Sequence, residues 1–314
     1  MRSPLNKRLF RELRGEFGKY LVIFILMTLT IGMVSGFLVA DGSMIQAYEE
    51  SFKKYNIENG HFRTEKKMNN AQIQDIEHLG IKLYENYYVE EALTNGSTMR
   101  IFKNRDEVNK VCLMKGKMPE KPGEIGIDRM YADNNDLSVG DEIESGGHTW
   151  KITGLVALSD YSALFSNNND SMFDSVKFGV SVVCPEEFDS YKADQLNYSY
   201  AWKYNTEPKN EKAEKDISED LMEDVAKEVT LEEFVPRYTN QAIIFTGDDM
   251  GGDRSMMIVL LYIIIVIMAF VFAITTSNTI RKEANVIGTL RASGYTRGEL
   301  IRHYMAAPVF VTFI

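Results

Sequence analysis

The stretch YLVIFILMTLTIGMVSGFLVA, Tyr20 to Ala40, carries no charged residue over 21 positions. As a helix rising ~1.5 Å per residue it reaches about 31 Å, one hydrocarbon thickness. A second uncharged stretch, Met256 to Ile280, covers 25 positions and is long enough to span with tilt. Both read as membrane helices, although the averages of the 314-residue chain, 45% hydrophobic, 25% charged and net charge −10, resemble those of a soluble protein. A cleaved secretory signal has an apolar core of only ~7 to 15 residues and ends in small residues. The first run is longer and ends Leu38-Val39-Ala40, so a retained anchor is expected.

Lysine and arginine set the orientation. Residues 1–19 carry Arg2, Lys7, Arg8, Arg11, Arg14 and Lys19 against Glu12 and Glu16. Beyond Ile280 the chain carries Arg281, Lys282, Arg291, Arg297 and Arg302 against Glu283 and Glu299. Both flanks therefore belong on the cytoplasmic side. Eleven of the 35 basic residues but only four of the 45 acidic ones lie in these flanks, which leaves the intervening region 41–255 at net −17. Such a charge argues against nucleic acid and anionic lipid as partners of that region. Cys112 and Cys184 both fall in it, where a bridge is chemically allowed; a disulfide and two free thiols fit the spacing equally.

Past Ala40, the residues Met44, Ile45, Tyr48, Phe52 and Tyr55 recur at steps of three and four, so the first membrane helix is expected to continue as an amphipathic stalk ended by Asn59-Gly60. A domain large enough for its own core follows. A short helix is predicted over 71–78. Strands are predicted over 81–93 and 98–103, with Asn95-Gly96 turning between them. GEIGIDRMYADNNDLSVGDEI reads as strand, short helix and turn. EIESGGHTWKITGLVAL reads as a hairpin across Gly146-Gly147 with Trp150 and Ile152 on one face. Residues 159–175 have little periodicity and read as a long loop. Further strands are predicted at 178–183, 197–204 and 241–245, and helices at 186–191 and 209–229, the last with a stripe of Ala213, Ile217, Leu221 and Val225. TGDDMGGDRS reads as a flexible acidic joint. The mixed order indicates an α+β domain.

Catalytic signatures are missing. His61, His78, His148 and His303 have no metal-ligand spacing, and no HExxH, CxxC, GxSxG or phosphate-binding glycine loop appears. Ser51-Phe52-Lys53-Lys54 satisfies S-x-x-K without its companion motifs and reads as stalk surface. Asn167, Asn168, Asn169 and Asp170 lack the ordered glycine and distal glutamate of a calcium loop. Asn95-Gly96-Ser97 matches a glycosylation acceptor. An anchored enzyme therefore has no nucleophile, acid pair or metal cluster to rest on.

The most informative stretch follows the second apolar run: NTIRKEANVIGTLRASGYTRGELIRHYMAAP, Asn278 to Pro308. Val286, Ile287, Leu290 and Gly294 share one side at helical spacing, with cationic anchors Arg281, Lys282 and Arg291 beside them. Gly294 is placed to end that helix in the left-handed conformation. Thr296 with Glu299 three residues on is a capping box that starts another. The expected geometry is helix, sharp bend, helix. MAAPVFVTFI from Met305 is too short to span and is expected to be the start of a third membrane helix in a longer protein.

VIGTLRASGYTRGEL resembles the segment E-I-G-I-L-R-A-L-G-A-[ST]-R-x-x-I that follows the second membrane helix in the FtsX-like and MacB-like permeases of ABC transporters. Ile287, Gly288, Leu290, Arg291, Ala292, Gly294, Thr296 and Arg297 match. Val286 stands where the family usually has glutamate, with Glu283 one turn earlier as the acidic residue available in its place, and Ser293 stands where it has a bulky apolar residue. KPGEIGIDRMYADNNDLSVGDEIESGGHTWKITGLV is similar to a strand, helix and hairpin section of the MacB-like periplasmic core, at Gly123-Glu124, Val139-Gly140-Asp141 and Gly154-Leu155-Val156.

The resemblance implies an α-helical membrane protein with a large α+β extracytoplasmic domain inserted between its first and second transmembrane helices. The expected segments are 1–19 cytoplasmic, 20–40 membrane, 41–255 extracytoplasmic with stalks, 256–280 membrane, 281–304 coupling helix and bend, and 305–314 the third membrane helix. It implies a non-catalytic, multi-pass permease subunit of the cell membrane, with no cofactor of its own and ATP bound by a separate cytoplasmic ABC ATPase. A second permease copy or half and an unknown extracytoplasmic cargo or protein complete the expected partners. Glu283, Ile287, Leu290, Arg291 and Gly294 are the expected contacts with the ATPase. Phe165, Asn167, Asn168 and Asn169 are the candidate cargo or partner loop. A membrane-anchored sensor or receptor is the competing expectation. It calls for a long soluble signalling region, against which the return to apolar residues at Ala306 to Ile314 argues.

Overall fold

The computed structural model describes residues 11, 14–145 and 147–313. Arg2, Lys7, Arg8, Glu12, Gly146 and Ile314, used above for orientation, a turn and a third apolar run, lie outside them. The chain divides into two compact units, Met1–Met44 with Met250–Ile314, and Ile45–Asp249.

Among the described residues, two helices are long and apolar enough to cross a membrane: α1 (Phe17–Lys54) and α6 (Gln241–Lys282). At the foot of the first unit, Lys19 Nζ donates to Thr279 Oγ1 at 3.1 Å and pairs with Glu16 at 2.9 Å, while Lys282 approaches the same glutamate at 4.0 Å. Two shorter helices follow, α7 (Ala284–Ala292) and α8 (Arg297–Phe313).

The second unit is an α+β domain built on two sheets. The first is antiparallel in the order β11-β1-β10-β2, from β1 (Gly60–Thr64), β2 (Ile81–Glu85), β10 (Tyr198–Tyr204) and β11 (Leu231–Pro236). Strand periodicity divides it into an apolar and a polar face. Phe62, Tyr200, Trp202 and Phe234 stack on one side, with Trp202 and Phe234 centroids 4.8 Å apart. The helices α2 (Asn70–Glu77) and α5 (Glu211–Glu228) pack on this sheet, burying Ile76, Leu221 and Val225. His61 and Arg63 alternate with Phe62 and face the other way.

The second sheet runs β3-β4-β9-β6-β8-β5, with β7 paired to β8. Its strands are β3 (Tyr88–Ala92), β4 (Thr98–Lys103), β5 (Val111–Gly116), β6 (Glu124–Asp128), β7 (Glu142–Ser145), β8 (His148–Leu158) and β9 (Phe178–Val183). Central β9 is buried at every position and pairs in parallel with β4, which accounts for its continuous apolar run. Trp150 and Ile152 are buried on one face of β8, as their alternation predicts. Asp128 caps α3 (Arg129–Asn134) by accepting from Met130 N and Tyr131 N, and α4 (Pro185–Phe188) seats Phe188 against the core.

Several expectations are corrected. The run 81–93 is two strands in different sheets. Asn86 breaks it by donating its N–H to Ser199 O and accepting from Arg105 through its side chain. Gly60 does not end the stalk. The helix ends at Lys54, and Gly60 lies inside β1, where its missing side chain admits the Trp202 ring. The segment 241–245 is the first turn of α6 rather than a strand, and the glycine-rich joint after it is helical. Each glycine in a helix interior costs about 1 kcal/mol, little against an uninterrupted 42-residue helix. On α5 the buried stripe is Ser218, Leu221 and Val225, with Ile217 and Met222 exposed. Strands β1, β5 and β11 were not anticipated. Both cysteines are free thiols: Cys184 is buried, and Cys112 accepts the Tyr55 O–H at 3.2 Å.

A Cβ at position 60 would collide with the Trp202 ring and approach Val235 O at 2.7 Å. Gly60→Ala is expected to destabilise the domain by about 1–3 kcal/mol, read as a lowered denaturant midpoint in tryptophan fluorescence. An unchanged midpoint would contradict this packing.

Candidate functional site

The elbow between α6 and α8 brings together the residues expected from the sequence to contact a partner. Glu283 stands at the N-cap of α7 without capping it through its side chain. Its carboxylate instead accepts the Tyr304 O–H at 2.6 Å, bridging 21 residues. Along α7, Ile287 and Leu290 are half-buried, while Val286 and Arg291 are exposed. Arg291 has no acidic partner among the described residues. The helix closes in a Schellman turn: Tyr295 N–H donates to Leu290 O at 3.2 Å and Gly294 N–H to Arg291 O at 3.1 Å. This turn needs φ +96° at Gly294, a conformation that strains any residue with a Cβ.

Thr296 N–H then donates to Glu299 Oε2 at 2.9 Å, and Glu299 N–H to Thr296 Oγ1 at 3.3 Å. This is the capping box read from the sequence, and the bonds from Thr296 hold the Glu299 carboxyl below its usual value. Leu300 and His303 are buried along α8. Glu283, Ile287, Leu290, Arg291 and Gly294 thus lie on or at the ends of one short helix. Glu283 has an intramolecular role that sequence spacing did not anticipate.

The second unit holds a cleft of about 640 Å³ between the polar face of the four-stranded sheet and the β3-β4-β9 edge of the other. His61 and Arg63 line one wall and Tyr88 and Arg100 the opposite one. The Arg100 guanidinium lies over Tyr88 at 4.5 Å and Phe178 at 5.0 Å and pairs with Glu90 at 2.7 Å. Glu58, His61, Asn86 and Asp160 line the cleft as members of a largely buried polar network. Glu58 Oε1 meets His61 Nδ1 at 2.6 Å, Asn109 Nδ2 donates to Glu58 Oε2 at 2.6 Å, and Arg105 clasps Asp160 with bonds of 2.7 and 2.8 Å. Arg105 also donates to Asn86 Oδ1 at 2.8 Å, at the break between the two sheets.

Burial resists protonation of His61, but the Glu58 carboxylate outweighs it and raises the imidazole above its ordinary 6.5. Burial likewise resists ionisation of Glu58, and the imidazolium with the Asn109 bond holds its carboxyl below the usual value. Burial pushes Asp160 up against the pull of Arg105.

Of the loop residues expected as cargo contacts, Phe165, Asn167 and Asn168 line this cleft. Phe165 is 2% exposed and packs against Phe173 and Phe245. Asn168 Oδ1 accepts Gln241 N–H at 2.8 Å, and Asn167 Oδ1 accepts Asn169 N–H at 2.9 Å. Asp170 Oδ2 accepts from Ser166 Oγ and Asn167 N, so these oxygens are engaged in holding a turn. Among the described residues no cluster of histidine, cysteine or acidic side chains could hold a metal. The Asn95 amide of the glycosylation triplet donates to Tyr131 Oη at 3.1 Å and to Asn135.

Residues 258–314, which contain the whole elbow, match the family FtsX-like permease C-terminal. The carboxy-terminal segment is similar to that of FtsX-like permeases. Among solved structures, the periplasmic region of MacB from Actinobacillus actinomycetemcomitans matches at 10% identity and TM-score 0.31, covering 55% of this chain and 86% of that one. The extracellular domain of the noncanonic ABC-type transporter YknZ from Gram-positive bacteria matches at 9% identity and TM-score 0.29, covering 55% and 100%. Both likenesses are too distant to carry an argument. No curated protein sequence matches the chain.

The raised His61 value carries a pH dependence. Its contribution to stability is complete below the unfolded value of 6.5 and is lost as pH rises through the higher folded value. Thermal unfolding is expected to show the wild type losing stability above about pH 6.5, with His61→Asn lacking that decline. Parallel pH profiles for the two proteins would refute the His61–Glu58 pairing.

Proposed function

We propose that the chain is the permease subunit of an ABC transporter and that α7 is the coupling helix seated on a separate cytoplasmic ATPase. In this reading 20–40 and 256–280 cross the cell membrane, 41–255 is extracytoplasmic, 281–304 is cytoplasmic, and 305–314 begins a further crossing. Nucleotide binds and is hydrolysed on the partner. The permease contributes no catalytic group and works beside a second copy or a second permease half. Movement of the coupling helix passes through α1 and α6 to the outer domain, which performs export, extraction or mechanical signalling on an extracytoplasmic cargo.

The observation that carries this reading is the closed elbow, α7, the Schellman turn at Gly294 and the capping box at Thr296, lying inside the FtsX-like segment. A helix resting in lipid headgroups needs no such tight reversal, whereas a helix pushed by another protein benefits from ends whose backbone bonds are all made. Ile287 and Leu290 supply the apolar anchors and Arg291 a cation for an acidic rim. The basic flanks, Arg281 and Lys282 among them, support cytoplasmic placement.

Leu290→Asp places a carboxylate where the partner's groove is apolar, at a cost of several kcal/mol unless it is paired. The variant is expected to insert in the membrane normally and to lower permease-stimulated ATP turnover by at least about tenfold, since 1.4 kcal/mol already corresponds to one decade. The check is ATPase activity of the reconstituted complex beside a membrane-insertion assay. Wild-type stimulation by the variant would reject the coupling role of α7.

A further inference from the structure

Residues 159–177, between β8 and β9, form no helix or strand. A connection of this length without regular structure is uncommon in a compact domain and usually has a task. Its side chains and backbone are committed at both ends. On one side Arg100, held to Glu90 within the seven-stranded sheet, donates to Tyr161 Oη at 2.7 Å and to Ser166 O at 2.8 Å. On the other, the segment grips the first turns of α6. Asn168 Oδ1 accepts the Gln241 N–H, one of the helix-start donors that no intrahelical carbonyl can satisfy. Gln241 Nε2 reaches back to the carbonyls of Asn168 and Asp170 at 2.5 and 3.1 Å. Ser162 Oγ donates towards the Ala242 and Ile243 carbonyls, both at 2.9 Å, and Thr246 Oγ1 donates to Ser162 O at 3.1 Å. Between these polar ties, Phe165, Phe173 and Phe245 form a closed triangle with centroids 5.4 to 5.8 Å apart. Tyr48 of α1 donates its O–H to the same turn, at Ile243 O, 2.9 Å.

We infer that 159–177 is a strap that fastens the seven-stranded sheet to the start of α6, so that displacement of that helix moves the sheet with it. Phe165, Asn168 and Gln241 are its positioning residues. The inference deepens the permease reading, on which its mechanical consequence rests. The bonding pattern has one physical consequence: the sheet is tied to the helix that continues towards the second apolar run by side-chain bonds and an aromatic plug as well as by the chain itself. A cargo-contact loop would present its aromatic and amide groups outward. Here Phe165 and Phe173 pack on Phe245 of α6, Asn168 bonds Gln241, and Tyr161 bonds Arg100.

The test uses the full-length permease in lipid nanodiscs, with its co-purified ATPase. Backbone hydrogen exchange at 241–247 is expected to be at least about tenfold faster in Phe165→Ala and Gln241→Ala than in the wild type, with Phe165→Leu, which keeps an apolar plug, close to wild type. Unchanged exchange in both variants would overturn the strap, whether or not an ATPase is bound. Spin labels on Lys151→Cys, placed on β8 in a Cys112→Ser background, then report the distance between two copies with and without ATP. The strap predicts that Phe165→Ala binds the ATPase and hydrolyses ATP normally but loses the nucleotide-dependent distance change, and that Phe165→Leu restores it. A wild-type distance change in both Phe165→Ala and Gln241→Ala contradicts the strap. A wild-type protein that binds no ATPase contradicts the permease reading instead and leaves the exchange result to decide the strap.

Discussion

Between Leu290 and Glu299 the chain closes one helix and opens the next, and local hydrogen bonds take up several of the backbone groups at the junction. The carbonyls at the end of α7 are taken by the N–H groups of Gly294 and Tyr295, and the first donors of α8 by the Thr296–Glu299 box. This reversal works only because position 294 is a glycine at positive φ. Without it α7 would run on, and Glu283 would not meet Tyr304. The elbow is therefore closed by local hydrogen bonds at the turn and at the start of α8.

The second unit answers a related problem by different means. Its two sheets share one apolar core and also face each other across a polar cleft, where Glu58 pairs with His61 and Arg105 with Asp160, and Arg105 donates to Asn86. Buried ion pairs of this kind demand defined geometry because a charge left without its partner is costly. The strap over 159–177 adds a second fixed point at the start of α6. The apolar residues expected on a loop surface are consumed in that joint, and Phe165 is the clearest instance.

Much of the architecture was legible because local signals agreed with tertiary demands. β4 and β9 have the bounds read from alternation and apolar content, 98–103 and 178–183. The helix, glycine turn and capping box after α6 were readable from spacing alone, since every bond in them joins residues at most five apart in the chain. The failures have two causes, contacts distant in the chain and weak local signal. Gln241 to Phe245 looks like a strand by its β-branched content, but its partners are Ser162, Asn168 and Phe165, some 70 to 80 residues away, and those contacts favour helix. β1 and β11 were hidden because each contributes few large apolar residues, and β5 because it is an edge strand with Leu113 and Met114 exposed. The tie between Glu283 and Tyr304 is likewise non-local, so sequence spacing offered Glu283 to a partner while the fold gives it to α8.

The central claim is that α7 is seated on a nucleotide-hydrolysing partner. Its most direct measurement is site-specific photocrosslinking from a benzophenone residue placed at Thr289 of the full-length protein in native membranes, followed by identification of the adduct. The account predicts a single protein adduct whose partner binds ATP, formed with an efficiency that changes when nucleotide is added. Adducts with lipid alone, or with a protein that binds no nucleotide, would contradict it.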